Sequence, residues 1–503
     1  MSAVSVRKME TKFGFNQLHK SYIKCRKNKR NTINALKFEQ NLEANLLELE
    51  SELKSKTYKP KHSVCFTVIK PKSREIFAAD FRDRIVHHIV VDHLEKIFEP
   101  KFIFDSYACR KNKGTHKAVE RLQKFMRKAT LNNKKRAYYL QLDLHNFFMS
   151  IDKNILFSMI KKHVKDKEIL WLTKIVIFNN PTKNFMQKSS NTEAGKVPEH
   201  KSLFNAPVDT GLAIGNYTSQ FFANIYLNQL DQFVKHKLKY KFYVRYVDDF
   251  VLLASSKKEL HEHKEKIEQF IDEKLSLKLN PKQTLLPISN GANFLGYIIK
   301  PYYRLVRKRV VNNFLKKLEH YKKKLVSQHK QYRQIGYGNI AELQAVVNSY
   351  LGHFRHANTH TLEAGLLEKY SFLRNYFIFT GNKAVLRFNQ KYPLLKKQYN
   401  YFAERLNGFV IIIQIGCFYQ ILSAQAKKLS KLLNLKLIYK RNSWWKLKIG
   451  FHIHKFSKYT VKLLYHGFSL AIIKQVKHGY VCFRILDKVY VCSKTQANSQ
   501  SYE

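Results

Sequence analysis

Acidic residues are scarce in this sequence. The chain has 503 residues, with 37 Asp and Glu against 91 Lys and Arg, which gives a formal net charge of +54. Self-repulsion on this scale is relieved when a polyanion binds. Nucleic acid is the partner that we expect, because Lys and Arg side chains neutralise backbone phosphates. An anionic membrane surface is the alternative.

Long apolar runs are missing as well. The most apolar stretch, "FVIIIQIGCF" at residues 409–418, is far shorter than the ~20 residues that span a bilayer. The first residues, "MSAVSVRKMETKFGF", contain no apolar signal segment, so we expect a cytoplasmic protein with no membrane contact. Hydrophobic residues nevertheless make up 45% of the chain, which is enough for folded cores.

Several motifs of other protein classes are also absent. The six cysteines, at positions 25, 65, 109, 417, 482 and 492, include no CxxC pair. This argues against a zinc site and a disulfide framework, and predicts reduced, mostly buried thiols. No G-x-x-x-x-G-K-[ST] pattern is present, which argues against a P-loop ATPase. The His, Asn and Cys clusters of an HNH endonuclease are missing too.

Hydrophobic periodicity and turn signals divide the chain into helices, strands and loops. We predict helices within residues 15–56, 82–98, 257–275, 308–335 and 424–433, with more helix up to about residue 380. We predict strands within residues 63–81, 140–152, 243–253 and 293–299, and several short strands between 434 and 492. Residues 181–205 are polar and turn-rich, so we expect a loop insertion there, and the polar tail after residue 492 is expected to fray.

The stretch "YVRYVDDFVLL" at residues 243–253 places two acids, Asp248 and Asp249, between two apolar strands. Side chains one residue apart point to opposite faces of a straight strand, so we expect both acids at a hairpin turn. Two carboxylates held there raise one another's pKa unless a cation binds between them. Mg²⁺ suits such a site, because it is commonly held by one or two carboxylates together with substrate phosphates.

A third acid, Asp143, ends the apolar strand in "LQLDLHNFF". Three carboxylates can hold two metal ions about 4 Å apart, which would activate a 3′-hydroxyl and stabilise a leaving pyrophosphate. Asp143 alone would be interpreted as a helix N-cap, and the Asp pair alone as a turn. The three acids together, in a chain of such positive charge, favour the metal site.

Several motifs resemble those of reverse transcriptases. "YVDD" matches their catalytic motif, "LDLHNFFMSID" their first aspartate motif, and "GLAIGNYTSQFFANIYLNQLD" (211–231) their dNTP-pocket helix. Residues 70–116 resemble the fingers of the bacterial enzymes, and "LKLNPKQT" (277–284) and "NFLGYII" resemble the two motifs after the active site. Order and spacing agree over residues 15–380. The resemblance implies an α+β right-hand polymerase, with fingers, a palm with an antiparallel sheet and a helical thumb.

The resemblance also implies roles for single residues. Asp143, Asp248 and Asp249 would be the catalytic metal ligands, for two Mg²⁺ ions or for Mn²⁺. Among the dNTP-binding positions, Lys72 and Arg74 match the residues that contact the triphosphate, and Lys282 matches a lysine near the pyrophosphate. Phe148 matches the bulky residue that excludes a 2′-hydroxyl. Gly215 and Gln220 match the residues that shape the nucleotide and template pocket. The substrates would be dNTPs and the product cDNA.

One motif departs from many relatives. Group II intron enzymes read Q-G-x-x-x-S-P where this chain has "IGNYTSQ" (214–220). That form resembles the reverse transcriptases of diversity-generating retroelements and of bacterial antiphage defence.

The C-terminal part resembles the mismatch-binding N-terminal domain of MutS proteins, whose G-x-F-Y-E fingerprint corresponds to "GCFYQ" (416–420). Phe418 matches the wedge that enters a mismatched stack, whereas Gln420 departs from the glutamate that contacts the base. An aromatic wedge can unstack bases, but Phe418 can equally be a core residue. Trp444 and Trp445, in "KRNSWWKLK", either contact nucleic acid or form a partly buried strand pair.

We therefore predict a basic helical extension (1–60), fingers and palm (61–300), a helical thumb (301–385), a small α/β MutS-like domain (386–492) and a flexible tail (493–503). The expected function is cDNA synthesis on an RNA template, with a structured noncoding RNA as partner and antiphage defence as the setting. Diversity generation, a group II intron-like maturase and a non-catalytic nucleic-acid scaffold are the alternatives. Tyr502 could supply a primer hydroxyl. The sequence leaves the oligomeric state open, including a homo-oligomer.

Overall fold

The computed structural model describes residues 12–27, 32–69, 72–326, 337–381, 383–386, 395–476 and 479–486. The chain divides into two compact units, Met1–Arg307 and Lys308–Glu503. The α-helices of the first unit are α1 Phe15–Arg26, α2 Ile33–Gln40, α3 Leu42–Lys54, α4 Phe81–Phe98, α5 Thr115–Ala129, α6 Phe147–Ser150, α7 Lys153–His163, α8 Lys167–Phe178, α9 Asn191–Ala194, α10 Tyr217–Gln232 and α11 Lys257–Leu275. Its strands are β1 Ser63–Val68, β2 Arg74–Ala78, β3 Tyr138–Asp143, β4 Phe185–Gln187, β5 Tyr243–Tyr246, β6 Asp249–Ala254, β7 Thr284–Pro287, β8 Ala292–Phe294, β9 Tyr297–Ile299 and β10 Arg304–Val306.

The helices of the second unit are α12 Lys308–Val326, α13 Tyr337–Phe354, α14 His360–Lys369, α15 Leu373–Tyr376, α16 Leu395–Arg405, α17 Ser423–Leu433 and α18 Phe456–Tyr465. Its strands are β11 Phe377–Thr380, β12 Lys383–Leu386, β13 Val410–Ile415, β14 Phe418–Leu422, β15 Ile438–Tyr439, β16 Leu447–His452, β17 Leu470–Val476 and β18 Gly479–Leu486. The first unit combines helices with strands that pair mostly antiparallel, which confirms the predicted α+β class.

The N-terminal helices belong to the core of the first unit. Leu46, Leu49 and Leu53 recur at three- and four-residue spacing along α3, and all three are buried. They join the residues of α4 in one apolar cluster that continues into the central four-stranded sheet. The extension predicted from its basic residues therefore packs its apolar face on the core of the first unit, because that face cannot remain in water.

The central sheet has the order β5-β6-β3-β7, with antiparallel neighbours throughout. Helices α5 and α11 pack against this sheet, and α10 is joined to β5 by hydrogen bonds of Asp231. The interior of β6 is buried from Phe250 to Ala254. Strands with such continuous apolar runs need cover on both faces. The polar residues of β3 and β6 therefore collect where the strands end, at Asp143 and Asp249.

The predicted loop insertion at residues 181–205 is more ordered than its composition suggested. Strand β4 within it pairs in parallel with β1, which extends the hairpin of β1 and β2 to three strands. The buried carboxylate of Glu75 accepts hydrogen bonds from Ser202 Oγ, at 2.7 Å, and from the Leu203 amide, at 2.9 Å. The prediction of a plain loop was wrong, because a distant carboxylate satisfies the polar groups of the segment.

Two further sequence predictions need correction. Residues 293–299 contain not one strand but the end of β8, a turn at Leu295 and Gly296, and β9, and β10 pairs with β9. The predicted helical continuation to residue 380 ends at α15, and β11 and β12 form a hairpin instead. In both stretches a glycine lies between two apolar runs, which is a turn signal in its own right.

The C-terminal sheet has the order β15-β16-β14-β13-β17-β18. Helices α17 and α18 cover one face, where Tyr419 and Phe451 are buried. Helix α16 covers the other face, where Ile411 and Ile413 are buried. A mixed sheet between two helical layers confirms the predicted α/β character of this part of the chain.

Two predictions on composition can be compared with the structure. Among the described residues Cys25 and Cys65 are buried, but Cys109 and Cys417 are exposed, so the expectation of mostly buried thiols was wrong for half of them.

In the described part of the chain, none of the helices combines the length and the apolar character that crossing a bilayer requires.

Candidate active site

The two acids of "YVRYVDDFVLL" lie at the tip of the hairpin formed by β5 and β6. Tyr246 pairs with Asp249, so Val247 and Asp248 form a two-residue turn. Val247 has a φ of +55°. Tight hairpins require a positive φ at this position and normally use glycine there. A β-branched residue in this conformation costs on the order of 1–3 kcal/mol, which the surrounding structure must offset.

Arg245 provides that support from beneath the turn. Its guanidinium donates to the carbonyl oxygen of Val247 at 2.9 Å and to both carboxylate oxygens of Asp231, at 2.8 and 2.6 Å. Both side chains are fully buried, and Asp231 also accepts a hydrogen bond from Tyr243 Oη at 2.8 Å. The fully paired guanidinium therefore anchors the strained turn that presents Asp248.

The third acid lies directly across the sheet. Asp143 is the last residue of β3, and its Cα pairs with that of Asp249 on β6. All three acids line one cavity of about 650 Å³. The structure therefore brings together the three carboxylates that the sequence singled out, from two neighbouring strands and the turn between β5 and β6.

Burial raises the pKa of every carboxyl in the cluster. Loss of hydration is the main cause for each, and the nearby acids add to it for Asp248 and Asp249. The pKa of Asp248 rises to about 6 and that of Asp249 to about 7, while that of Asp143 is raised less. In the described structure none of the three carboxylates has a cationic side chain within 4.0 Å. The cluster consequently holds negative charge that the surrounding protein leaves largely unpaired.

Two amides orient these acids. Gln141 Nε2 donates to both oxygens of Asp249, at 2.9 and 3.2 Å. Asn280 donates its amide to the Asp143 carbonyl oxygen at 2.7 Å and its side-chain Nδ2 to the Asp143 carboxylate at 3.3 Å. Sequence reasoning missed both residues. A signal was available for Gln141, since it lies two positions before Asp143 and therefore shares its face of β3.

Cations surround the cavity without pairing with the acids. The predicted residues Lys72, Arg74 and Lys282 line it, and so do Lys201 and Arg307. The positive charge of Lys72 and Lys201 lowers the pKa of Asp143, against the effect of its burial. Lys201 was missed because it lies in the insertion, 58 positions beyond Asp143, and reaches the cavity only because Glu75 holds the next two residues.

The remaining predicted nucleotide residues separate into two groups. Phe148 lines the cavity and packs on Phe147, with ring centroids 5.3 Å apart. Gly215 and Gln220 are not among the residues that line it. Gly215 has a φ of +120°, and a Cβ there would lie 2.7 Å from the Ile76 side chain, so this position requires glycine for close packing. Gln220 is exposed and accepts a hydrogen bond from Cys109 Sγ at 3.1 Å.

The donor set fits divalent metal ions in part. Carboxylate oxygens are the ligands that Mg²⁺ prefers, and a cluster with raised pKa values gains from a bound cation. Within the described ranges, however, no three Asp, Glu, His or Cys side chains converge closely enough to hold a metal. Gln141 holds Asp249 by both oxygens, so a further donor, such as a substrate phosphate, is needed to complete the coordination.

The predicted residues of the C-terminal domain lie in different environments. Phe418 is 48% exposed at the start of β14, and its ring meets His452 edge-on at 5.4 Å. Gln420 is half-buried on the same strand. Trp444 and Trp445 pack on the apolar cluster beneath α16, and Trp444 lies 5.4 Å from Tyr399. Tyr502 lies outside the described residues.

Comparisons with known proteins agree with this architecture. Residues 59–299 match the family model described as "Reverse transcriptase (RNA-dependent DNA polymerase)". Residues 393–495 match the model described as "MutS domain I". These matches confirm both predicted resemblances, and the first supports the prediction that the chain is an enzyme with reverse transcriptase activity.

Two curated relatives are similar to the first part of the chain. Protein YkfC of Escherichia coli K12 is 24% identical over 312 residues, which are 55% of this chain and 75% of YkfC. Group II intron-encoded protein LtrA of Lactococcus lactis subsp. cremoris is 23% identical over 325 residues, which are 51% of this chain and 50% of LtrA. The chain thus spans only half the length of LtrA.

Solved telomerase structures are also similar. Apo telomerase from Candida tropicalis, truncated from the C-terminal domain, gives a TM-score of 0.36 at 14% identity, over 51% of this chain and 59% of that one. Telomerase from Candida albicans in complex with a TWJ fragment of telomeric RNA gives a TM-score of 0.37 at 12% identity, over 68% of this chain and 57% of the telomerase chain. TM-scores of this size add no support to a fold assignment.

Proposed function

We propose that this chain is an RNA-directed DNA polymerase that extends a primer 3′-hydroxyl with dNTPs at the cavity of Asp143, Asp248 and Asp249. One observation carries the proposal. Three acids with raised pKa values lie at the end of the palm sheet, in a segment that matches reverse transcriptases, and they share one cavity with five cations. A cluster of acids that form no ion pair in the described structure, beside cations that line the same cavity, suits a triphosphate together with its metal ions.

The side chains that line this cavity would have separate roles in the reaction. Lys72 and Arg74, on the hairpin of β1 and β2, would bind the triphosphate, and Lys201 and Lys282 would hold the leaving pyrophosphate. The Phe148 ring would pack against the sugar and leave no room for a 2′-hydroxyl, which selects dNTPs. Arg245 would keep the turn rigid, and thereby fix the distance from Asp248 to the reacting phosphate.

Asp143 and Asp248 would hold two Mg²⁺ ions, with Asp249 beside them. When bound, such a pair activates the 3′-hydroxyl and stabilises the charge on the leaving oxygen. The chain contributes the carboxylates, their orientation by Gln141 and Asn280, and the cations that line the same cavity.

Primer extension tests the proposal. Purified protein is incubated with an RNA template, a DNA or RNA primer, dNTPs and Mg²⁺, in parallel with Asp248→Asn and with an rNTP mixture. We expect DNA products from the unmodified chain, none from Asp248→Asn, and none from rNTPs. Equal extension by both proteins would refute a catalytic role of the cluster and favour a nucleic-acid scaffold.

The C-terminal domain would bind nucleic acid, and a structured noncoding RNA would be the template. Phe418 supports this, because a half-exposed ring at a strand end can stack on an unpaired base. Sequencing of RNA and cDNA that co-purify with the protein would identify template and product together. Recovery of random cellular RNA in both the unmodified protein and Phe418→Ala would contradict a dedicated template.

Antiphage defence would be the biological setting, since the chain joins a reverse transcriptase segment to a nucleic-acid-binding module. A phage challenge of cells that express the chain, or Asp248→Asn, tests this setting. Equal plaque numbers with both proteins across a phage panel would refute it.

A further inference from the structure

A second cavity, of about 900 Å³, lies at the opposite end of the palm sheet. Its walls are the end of α5 with the loop that follows it, residues 238–242 and the end of β6. Ala254 lines this cavity and Asp249 lines the first one, and the two residues are five positions apart on β6. At about 3.3 Å per residue the separation is about 17 Å. The cavity is therefore distinct from the site of the three acids.

The rim of this cavity is strongly basic. Five exposed cations line it, namely Arg127, Lys128, Lys135, Lys239 and Lys241. In the described part of the chain none of the five forms an ion pair. Glu259 is the one carboxylate in the lining. Five cations around one acid give the cavity a positive potential, which attracts phosphates.

The floor of the cavity is apolar and firmly held. Leu131 is 51% exposed there, and Phe242 is half-buried. Beneath them, buried Tyr240 donates its hydroxyl to the Leu253 carbonyl oxygen at 3.0 Å, and its ring lies 4.7 Å from His263. A rigid apolar floor inside a basic rim offers a surface for a base as well as for its phosphates.

Unusual backbone conformations shape two of the walls. Leu131, Asn132 and Asn133 have consecutive φ values of +46°, +58° and +69°, and Lys239 on the other wall has a φ of +53°. Residues other than glycine adopt this region at a cost, and such strain concentrates at functional sites. Leu131 and Lys239, both in this conformation, line the cavity.

We propose that this cavity, which nothing above uses, binds a single-stranded segment of RNA outside the cavity of Asp143, Asp248 and Asp249. The inference rests on the proposed function, since it assumes that the chain works on RNA. The rim would contact successive phosphates, and one base would lie on Leu131 and Phe242. Double-stranded RNA keeps its bases stacked and would leave the floor unused. An acidic protein or a second copy of this chain would use the rim alone.

The test measures the salt dependence of RNA binding. A fluorescent, mixed-sequence, single-stranded RNA is titrated with protein whose active site is saturated by an unlabelled short RNA–DNA hybrid. The variant combines Lys135→Gln, Lys239→Gln and Lys241→Gln. Loss of three phosphate contacts on a single strand should flatten the slope of log K against log salt by about 2, which near 0.1 M salt is about a 100-fold loss of affinity.

A matched control combines Lys161→Gln, Lys162→Gln and Lys167→Gln, three exposed lysines on α7 and α8. It changes the net charge equally, so it should leave the slope within about 0.5. Leu131→Ser should weaken binding without a change of slope, because it removes a base contact and no charge. Equal slopes for the two triple variants would overturn the proposal, and so would a change in oligomeric mass without a change in RNA affinity.

Extension of a short RNA–DNA hybrid separates this inference from the proposed function. We expect the cavity variant to extend the hybrid as fast as the unmodified chain. If neither the unmodified chain nor the cavity variant extends the hybrid, the proposed function is refuted. If both extend it normally and the cavity variant binds RNA as tightly as the unmodified chain, only the RNA site proposed here is refuted.

Discussion

The fully buried Asp231 and the half-buried acids at the end of the palm sheet are paired in opposite ways. Asp231 is fully buried, and a guanidinium and a tyrosine hydroxyl saturate it within 2.8 Å. Asp143, Asp248 and Asp249, at the sheet end, have no cation within 4.0 Å among the described residues. The fold could have paired these acids as it paired Asp231. The difference shows that the fold leaves the repulsion among these acids in place, and under the proposed function an external cation would relieve it.

The largest expected effect is on catalysis. Asp248→Asn keeps the shape of the side chain but removes the charge that would hold the metal under the proposed function. We expect primer extension to fall by about 1,000-fold or more, because a group that stabilises the transition state through a metal is lost. The free energy of unfolding should not decrease, since repulsion is relieved. Single-turnover extension and urea unfolding measure the two effects. A large loss of stability would contradict the comparison.

Asp231→Asn should act in the opposite way. It leaves the buried Arg245 guanidinium without its charged partner, and breaking such a pair costs about 3–5 kcal/mol. Urea unfolding measures this loss, with exposed Asp272→Asn as the control, which should stay within about 0.5 kcal/mol of the unmodified chain. If both variants unfolded alike, Asp231 and Arg245 would not anchor the turn.

The pH dependence of stability should reveal the unpaired acids. Asp248 has a pKa of about 6 in the fold, above its ordinary value, so the folded state holds a proton that the unfolded chain has already lost. Its contribution to stability is therefore present at low pH and is lost as the pH rises from about 4 to about 7. In the absence of metal, the unmodified chain should lose about 2 kcal/mol of stability over this pH range that Asp248→Asn does not lose.

Urea unfolding in EDTA between about pH 5 and about pH 8 measures this dependence. Added Mg²⁺ should restore stability to the unmodified chain at the upper end of the range and leave Asp248→Asn unchanged. Parallel pH profiles of the two proteins would show that the carboxyl is not perturbed.

The smallest effect should come from the cation that the insertion supplies. Lys201→Ala should raise KM for dNTPs about 10-fold with a smaller change in kcat, which corresponds to about 1.4 kcal/mol of lost phosphate binding. Lys188→Ala removes an exposed lysine of the same insertion that does not line the cavity, so its KM should be unchanged. Equal KM values for the two variants would remove Lys201 from the site.

The acids could be predicted from the sequence because their chemistry is local. A doubled aspartate between two apolar strands predicts a hairpin tip, and Asp143 ends a third strand. Lys201 and Arg245 could not be assigned in this way. The position of Lys201 depends on hydrogen bonds to Glu75, more than 120 positions earlier, and the role of Arg245 depends on where α10 places Asp231. The sequence between β11 and β12 contains a turn signal, but the helical pattern of the preceding residues led to the prediction that the helix continues.

Metal binding tests the central claim most directly. Protein with a 3′-deoxy primer on an RNA template and the next dNTP is titrated with Mn²⁺, and free Mn²⁺ is measured by electron paramagnetic resonance. For the unmodified chain we expect about two bound ions per active site. Asp248→Asn should bind fewer than one, whereas Asp272→Asn should bind as the unmodified chain does. Equal Mn²⁺ binding by the unmodified chain and Asp248→Asn would contradict the conclusion that the unpaired acids are the metal site.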